Sequence, residues 1–351
     1  MKKNSILTIL IFLSISFIGF AENLPDGVKV KKIWDQAEHN AFTDLIRFRN
    51  NYYCSFREGT GHVPGVDGKI RILKSSNGKR WESVALLESK GFDLRDAGLS
   101  VTPDGRLMVI TGGSIYKEGK IMGRRPHVSF SNKAGTGFSA PEQVIIDPEI
   151  ASWGDWTWRV TWHNGTGYTM NYQIGPLERK GPTALYLMKT KDGKTYEKVT
   201  KIDLDGFPNE SVIRFDKKGE MYVMIRRELE DKMGVFARSK APFTQWDFKK
   251  MSYRLGGPNF LFTDQEEIFA GTRLYVPEPY MGLLLGDKDG NFSEILKLPS
   301  GGDNSYPGLV LRKNKLFVTY YSSHEGRSSI YFAEIPLSCF KNKTVPVKKV
   351  Q

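Results

Sequence analysis

The stretch PNESVIRFDKKGEMYVMIRRE, residues 208–228, contains two short apolar runs separated by the turn DKKGE at 216–220. Such a strand–turn–strand pattern is typical of an antiparallel hairpin. Glu210 stands at the start of the first run, and Arg226 and Arg227 end the second. Charged side chains are costly to bury without partners, so we expect this hairpin to bring charges to a shared site rather than to a plain core.

Similar hairpins recur along the chain, whereas helical periodicity is nearly absent. A turn of the form Ser-x-x-Gly-x-x-Trp occurs as SSNGKRW at 75–81, with weaker relatives TKDGKTY at 190–196 and GDKDGNF at 286–292. The units recur roughly every 50 residues, a period that is typical of propeller blades. We therefore predict an all-β fold, a six-bladed β-propeller with four-stranded antiparallel blades.

The last unit offers only three strands before IPLSCFKNK at 335–343. The segment GVKVKKIW at 27–34 is predicted to supply the fourth strand and to close the ring with the N-terminus. Such closure leaves few unpaired strand edges.

The N-terminus indicates export. Two lysines, an apolar run of about a dozen residues and the small residues Gly19 and Ala21 are typical of a secretory signal peptide. Residues 1–21 are therefore predicted to be removed and 22–351 to form a single propeller domain, which is periplasmic or secreted. The alternative is an uncleaved membrane anchor. No cysteine follows the predicted cleavage point, so we do not expect a bacterial lipid anchor. We also expect no stable membrane insertion after cleavage.

The chain carries 51 Lys and Arg against 39 Asp and Glu, a net charge of +12. Such an excess attracts acidic partners. Export makes nucleic acid a poor candidate, so acidic glycans are favoured. The two cysteines, Cys54 and Cys339, could pair in an oxidising compartment but do not make a disulfide framework.

In a propeller the innermost strands line a central channel, and their starts meet at one face. The predicted innermost strands start near six positions: Phe42, Asp96, Arg159, Glu210, Asn259 and Tyr306. Second strands end in arginine at matching offsets, and two further arginines lie at strand starts: Arg57, Arg226, Arg273, Arg95 and Arg159. Five guanidinium groups around one mouth favour an anionic ligand, although structural ion pairs with nearby carboxylates are the alternative. Neighbouring strand residues face opposite ways, and the offset favours Arg226 over Arg227.

Two of these segments resemble the bacterial exo-sialidase family of glycoside hydrolases, six-bladed propellers with Asp-box turns. NESVIRFDKKGEMYVMIR is similar to the segment with the catalytic glutamate and a carboxylate-binding arginine, which implies Glu210 and Arg226. GDNSYPGLVLRKNKLFVTYY is similar to the segment with the tyrosine nucleophile, which implies Tyr306, and a further clamp arginine one blade upstream implies Arg273.

The resemblance also implies an acid in the loop before the first Asp-box. Asp67 occupies that loop, with Asp96 and Glu58 as rivals. One feature departs from the family: its first innermost strand should carry an arginine near HNAFTDL at 39–45, and none is there. Arg57, one strand later, could take its place, with Arg95, Asp96 and Arg159 as further substrate-binding residues.

A tyrosine nucleophile suits a sugar whose anomeric carbon bears a carboxylate, since a neutral phenol is not repelled there. The phenol needs a base, Glu210, while the arginines would clamp the carboxylate and Asp67 would protonate the leaving oxygen. The sequence thus predicts an exo-acting hydrolase that removes a terminal acidic sugar, a sialic, ulosonic or uronic acid. A uronate lyase and a non-catalytic glycan-binding propeller are the alternatives. The histidines have no ligand spacing, so no metal or cofactor is predicted, although His62 and His324 are expected near the mouth.

Overall fold

The computed structural model describes residues 24–63, 68–174 and 184–343. Within them the chain is almost entirely β, with one short 3-10 helix at Leu337–Phe340. The strands form six sheets, numbered here as blades in chain order from β2. Blade 1 contains β2 (His39–Phe48), β3 (Asn51–Gly59), β4 (Lys69–Ser75) and β5 (Glu82–Leu87), and blade 2 contains β6 (Asp93–Val101), β7 (Leu107–Lys117), β8 (Lys120–Arg124), β9 (His127–Phe130) and β10 (Glu142–Gln143). Blade 3 contains β11 (Ile145–Ile146), β12 (Asp155–Thr157), β13 (Thr161–His163), β14 (Thr166–Gln173), β15 (Leu185–Thr190) and β16 (Thr195–Ile202), and blade 4 contains β17 (Pro208–Phe215), β18 (Met221–Arg227), β19 (Met233–Ser239) and β20 (Asp247–Arg254). Blade 5 contains β21 (Asn259–Phe262), β22 (Ile268–Leu274), β23 (Tyr280–Gly286) and β24 (Phe292–Lys297), and blade 6 contains β25 (Asn304–Arg312), β26 (Lys315–Ser322), β27 (Ser329–Pro336) and β1 (Lys29–Trp34).

The prediction of a six-bladed propeller is confirmed. Blades 1, 4, 5 and 6 are four-stranded antiparallel meanders, and blades 2 and 3 carry additional short strands. Strand β1 pairs antiparallel with β27, with Val30 opposite Ala333, so the N-terminal segment closes the ring as the sequence predicted.

Two of the predicted turns share one hydrogen-bonding pattern. In the turn at 75–81 the Oγ of Ser75 accepts the Gly78 N–H at 2.9 Å, and in the turn at 190–196 the Oγ1 of Thr190 accepts the Gly193 N–H at 2.9 Å. Each turn joins the third strand of a blade to the fourth. Trp81 then packs on Phe332 of the preceding blade, with ring centroids 5.3 Å apart. The recurring sequence pattern therefore marks the contact between neighbouring blades.

The core lies between the blades. The second strand of blade 4 shows why, because residues on both of its faces are buried: Met221, Tyr222, Val223, Met224 and Ile225. A strand that is covered on both sides reads as a continuous apolar run rather than as an alternating one. This burial fixes each blade against its neighbours and holds the innermost strands around the channel.

The innermost strands are bulged where they reach the mouth of the channel. The pairing register shifts between Ala41 and Asp44, between Arg95 and Gly98, and between Ser305 and Gly308. Within these bulges three non-glycine residues have a left-handed backbone, with φ of 64° at Phe42, 54° at Asp96 and 52° at Tyr306. Bulges re-aim side chains and are frequent at functional sites. These three side chains therefore converge on one pocket.

Both cysteine thiols are free in the structure, so the pairing of Cys54 with Cys339 that the sequence allowed is not formed. Cys54 is buried between blades, whereas the Cys339 thiol lies near the Asp26 carbonyl at the surface. None of the helical structure in the described ranges is long and apolar enough to cross a membrane. The predicted signal peptide, residues 1–21, lies outside the described residues.

Candidate active site

A glutamate from blade 4 and a tyrosine from blade 6 meet at the centre of the mouth. The Tyr306 hydroxyl donates a hydrogen bond to Oε1 of Glu210. The same oxygen lies 2.6 Å from an Nη of Arg226, and Oε2 accepts the Gly257 N–H at 2.8 Å. Glu210 and Tyr306 are only 5% and 7% exposed. Glu210 is thus held in one orientation by three donors.

Gly257 permits this close approach. Its backbone is left-handed, with φ of +57°, and a Cβ added there would lie 2.6 Å from Cδ2 of Tyr306. The loop carrying Gly257 therefore packs directly on the phenol ring while its N–H reaches the carboxylate. A side chain at this position would displace one of the two.

The environment sets opposite protonation preferences for the pair. Burial opposes ionisation of Glu210, but Arg226 and the hydrogen bonds from Tyr306 and Gly257 together hold its pKa below the usual range. Burial, followed by the charge of Glu210, raises the pKa of Tyr306 well above its usual value. The resting site therefore contains a neutral phenol hydrogen-bonded to an ionised carboxylate.

Arg226 and Arg227 point in opposite directions, as alternate strand residues do. Arg226 bridges Glu210 and Glu228, with its Nε 2.5 Å from Glu228 Oε1. Arg227 instead turns away from the pocket and pairs with Glu230 at 2.8 Å. Of these two arginines, only Arg226 can reach a ligand beside Tyr306.

Two further guanidinium groups, those of Arg273 and Arg95, face the pocket without a carboxylate at hydrogen-bond distance in the described residues. Among the described residues Arg273 has no carboxylate within ion-pair distance, and its buried Nε has no hydrogen-bond partner. Its guanidinium carbon lies 5.6 Å from the centroid of the Tyr275 ring. Arg95 lies over the Phe42 ring at 4.8 Å, and its nearest carboxylate oxygen, on Asp93, is 3.9 Å away. Cations with little compensation are a typical feature of anion-binding sites.

Asp96 completes the polar lining. Its Oδ1 is buried and makes no hydrogen bond within the described part of the chain. Burial raises the pKa of Asp96 to about 6, with Arg95 opposing and Glu210 reinforcing the shift. An unpartnered carboxyl on a strained backbone is a typical feature of a ligand site.

Two arginines that the sequence assigned to substrate binding are placed elsewhere. Arg57 is fully buried, with its Nε 2.7 Å from Asp93 Oδ1 and an Nη 2.9 Å from the Gly61 carbonyl oxygen. A Cβ on Gly68 would lie 2.3 Å from the Arg57 Nε, so the Gly68 backbone packs directly on this guanidinium. Arg57 therefore does not replace the missing first-strand arginine. Arg95, by contrast, stacks on Phe42 of that strand.

Arg159 is the second of these two arginines. It ion-pairs with Asp44 and donates to the Thr43 carbonyl oxygen at 3.0 Å, inside the channel. Arg214 lies beside it, and burial, with Arg159 contributing next, lowers the pKa of Arg214 to about 10. A buried guanidinium needs a carboxylate nearby, and Asp44 satisfies that need for Arg159. Arg159 is therefore paired within the fold, and its contact with substrate stays a prediction.

The predicted proton donor Asp67 lies outside the described residues. Its rival Glu58 is committed elsewhere, because its carboxylate accepts from Arg71 at 3.0 Å and from the Trp34 indole at 2.7 Å. Glu58 is therefore excluded from the pocket, whereas Asp96 lies within it.

An aromatic wall surrounds Tyr306, and sequence reasoning did not anticipate it. The ring centroids of Phe42, Trp158 and Tyr321 lie 5.0, 5.8 and 6.0 Å from that of Tyr306. Apolar walls with a few converging polar groups are typical of small-molecule sites. The clustered tryptophans of WTWRVTW at 156–162 were the only sequence signal for it.

Beside this wall lies a second cluster, His39, His62 and Asp303. Oδ2 of Asp303 is 2.9 Å from His39 Nε2 and 2.6 Å from His62 Nδ1. These three side chains are of types that could ligate a metal ion, and their ligand atoms lie within 4.8 Å of one another. No spacing pattern signals the cluster, because blades 1 and 6 supply its members from opposite ends of the chain. His324, also expected near the mouth, packs against Tyr331.

No protein-family model matches this sequence, and no curated protein matches it. Solved structures share its fold. A Dyadobacter fermentans protein of unknown function is 19% identical with a TM-score of 0.76, covering 89% of this chain and 100% of its own. Trypanosoma rangeli sialidase bound to sialic acid is 10% identical with a TM-score of 0.69, covering 90% of this chain but 59% of its own. Penicillium chrysogenum alpha-L-arabinanase bound to arabinobiose is 13% identical with a TM-score of 0.67, covering 88% and 98%. At these identities the likeness defines the fold class, a six-bladed propeller.

Proposed function

We propose that this chain is an exo-acting glycoside hydrolase that removes a terminal acidic sugar, sialic acid or a related ulosonic or uronic acid, from a glycan. The observation that carries the proposal is the hydrogen-bonded Tyr306–Glu210 pair beside guanidinium groups that lack full compensation. The structural likeness to a sialidase and an arabinanase supports the broader class, a propeller that acts on carbohydrate.

In this proposal the Tyr306 oxygen attacks the anomeric carbon while its proton passes to Glu210. An anionic nucleophile would be repelled by a carboxylate on that carbon, whereas the neutral phenol is not. The raised pKa of Tyr306 keeps the phenol neutral until attack begins. The ionised Glu210 is already hydrogen-bonded to it and accepts the proton as the new bond forms.

The substrate carboxylate would lie between Arg226, Arg273 and Arg95. Arg226 is shared with Glu210 and Glu228, and Arg95 lies near Asp93 and Asp96, so Arg273 supplies most of the free positive charge. Charge-assisted hydrogen bonds from guanidinium groups are strong and directional. Asp96 would accept a hydrogen bond from a ring hydroxyl of the same sugar.

The natural substrate would be an acidic oligosaccharide or glycoconjugate. The predicted signal peptide would bring the enzyme to the periplasm or to the outside of the cell, where such glycans occur. Asp67, as predicted from the sequence, remains a candidate proton donor.

The test is turnover by purified wild-type protein of aryl glycosides of sialic acid and of uronic acids, with the neutral aryl glucoside as control. We expect release of the phenol from an acidic glycoside alone. An unsaturated product that absorbs in the ultraviolet would instead identify a lyase. Binding of acidic sugars without any product would identify a non-catalytic propeller.

A further inference from the structure

The loop that follows β3 places one imidazole at the rim of the pocket. His62 packs edge-on against Phe42, with ring centroids 5.0 Å apart, and the Phe42 ring also lies 5.0 Å from that of Tyr306. The His62 side chain is 42% exposed, whereas Tyr306 is almost fully buried. His62 therefore stands between the buried sugar site and solvent, where the leaving group of an exo-acting enzyme must lie.

Asp303 fixes the orientation of this imidazole. Its Oδ2 lies 2.6 Å from His62 Nδ1, while its Oδ1 accepts the Tyr321 hydroxyl at 2.8 Å. His39 contacts the same carboxylate from the other side at 2.9 Å. Burial opposes ionisation of Asp303, but the hydrogen bonds from His39 and His62 hold its pKa far below the usual range. An ionised carboxylate on Nδ1–H leaves Nε2 as the working atom, the arrangement of carboxylate–imidazole pairs in catalysis.

The His62 Nε2 is available for that work, since the hydrogen bonds of His62 within the described residues involve only Nδ1. Its exposed position leaves room for an incoming glycosidic oxygen.

A metal ion explains the cluster less well. A metal-bound imidazole carries its proton on the other nitrogen and normally donates it to an oxygen. His39 Nδ1 is buried with no partner in the described part of the chain, so a metal on its Nε2 would leave that N–H unsatisfied.

We propose that His62, oriented by Asp303, is the proton donor to the leaving group, a role that rests on the proposed function. Tyr306 oxygen bonds to the anomeric carbon and passes its proton to Glu210. The bond to the glycosidic oxygen breaks, its electron pair stays on that oxygen, and His62, entering the step as an imidazolium with a proton on each nitrogen, supplies the proton from Nε2. Water then attacks the anomeric carbon and gives a proton to Nε2, while the Tyr306 oxygen leaves and recovers its proton from Glu210.

Asp96 is the rival donor within the pocket, partly buried beside Arg95 and Glu210. Asp67 is the rival predicted from the sequence. Both are included as arms of the experiment.

The experiment compares two substrates of the same acidic sugar, a nitrophenyl glycoside with an acidic leaving group and a methyl glycoside with a basic one. Proton donation matters only for the second. His62→Gln is expected to lower kcat/KM for the methyl glycoside by about 10²–10⁴-fold and for the nitrophenyl glycoside by less than about tenfold. Asp303→Asn should show the same selectivity with a smaller loss, because it misorients the donor. His163→Gln is the matched control, since that ring stacks on Phe215 at the far end of its strand.

Equal losses on both substrates in His62→Gln would overturn the proposal, as would a selective loss in Asp67→Asn or Asp96→Asn with none in His62→Gln. Tight zinc binding by the wild type that is lost in His39→Gln would also overturn it. Absence of hydrolysis by the wild type on every acidic glycoside would instead refute the proposed function, and the proton-donor role with it.

Discussion

At the scale of single residues, Tyr306 and Glu210 show how one hydrogen bond defines a chemistry. The phenol is neutral, the carboxylate is ionised, and Arg226 with the Gly257 N–H keeps the carboxylate in place. Neither group is unusual alone. Under the proposed function, their contact in a buried, guanidinium-rich pocket would let the phenol pass its proton to the carboxylate.

Removing either member should abolish turnover without unfolding the protein. Tyr306→Phe deletes the nucleophilic oxygen, and Glu210→Gln keeps the shape but removes the base, so we expect kcat to fall by at least about 10³-fold in each. The measurement is steady-state hydrolysis of the aryl glycoside, with circular dichroism to verify the fold. Tyr186→Phe, in the third strand of blade 3, is the control. Near wild-type rates in Tyr306→Phe would refute the nucleophile assignment.

Arg273 should contribute to binding through charge. Its guanidinium has no carboxylate partner in the described residues, so Arg273→Ala is expected to weaken binding of an acidic sugar by roughly 2–5 kcal/mol while leaving a neutral analogue nearly unaffected. Calorimetric titration of both ligands measures the difference. Arg80→Ala, in an exposed turn, serves as control. Equal weakening of the two ligands would contradict the clamp.

Ionisation of Asp96 should lower the free energy of unfolding, by an amount that depends on pH. Burial raises its pKa to about 6, whereas an unfolded aspartate titrates near about 3.9. The folded state therefore favours the protonated carboxyl over the ionised one. The free energy of unfolding is highest below about pH 4, where the carboxyl is protonated in both states, and it falls as pH rises to about 6 because the unfolded state ionises first. Asp96→Asn is expected to raise the free energy of unfolding at about pH 7.5 by up to about 3 kcal/mol, with the gain vanishing near about pH 3.5.

Denaturant unfolding across that range measures this gain, with exposed Asp203→Asn as control. A gain that is the same at both ends of the range would show that Asp96 is not the titrating group.

At the scale of elements, bulges in the innermost strands decide where the side chains point. Phe42, Asp96 and Tyr306 all adopt left-handed backbone conformations at a register shift. Such conformations are unfavourable for these residue types and persist only where packing enforces them. The blades enforce them here because they are packed on both faces.

The loop between blades 4 and 5 offers a direct test of this fit. Gly257→Ala would bring a Cβ to 2.6 Å from Tyr306 Cδ2, so we expect a loss of at least about 10²-fold in kcat as the ring is displaced. Gly105→Ala is the matched control, since Gly105 has φ of +78° but nothing within 4 Å of its added Cβ. Both variants share the backbone strain of about 1 kcal/mol, and only one has the collision. Similar activity of the two would show that Tyr306 does not depend on this contact.

At the scale of the whole molecule, the ring is closed by a strand from the other end of the chain. Trp34 at the end of β1 reaches from blade 6 into blade 1, where its indole N–H donates to Glu58 at 2.7 Å and its ring lies 6.0 Å from that of Phe56. Arg71 stacks on the same indole at 5.2 Å. Since Tyr306 and Phe42 belong to these two blades, closure also sets the geometry of the pocket.

Trp34→Ala is therefore expected to lower the free energy of unfolding by about 2–3 kcal/mol. Replacing a fully buried tryptophan costs about 3–5 kcal/mol, and Trp34 is only half-buried. Trp34→Phe should recover part of the loss. Guanidinium unfolding followed by fluorescence measures the change, and Trp246→Ala, in a turn of blade 4, controls for loss of an indole elsewhere. No difference between Trp34→Ala and the wild type would show that closure contributes little.

The sequence by itself determined the blade. Short apolar runs, glycine turns and the recurring 75–81 pattern depend on local backbone preferences, and these are encoded residue by residue. It also placed Tyr306 and Glu210 at one mouth, because both lie at strand starts and strand starts meet there, while their roles as nucleophile and base were implied by the resemblance to the sialidase family. Only the tertiary structure decided which arginines are available. Arg57 and Arg159 carry the same signal as Arg95 and Arg273, but Asp93 and Asp44 neutralise them from elsewhere in the fold. The same holds for the His62–Asp303 pair, since partners from the first and last blades have no common spacing and meet only because the ring closes.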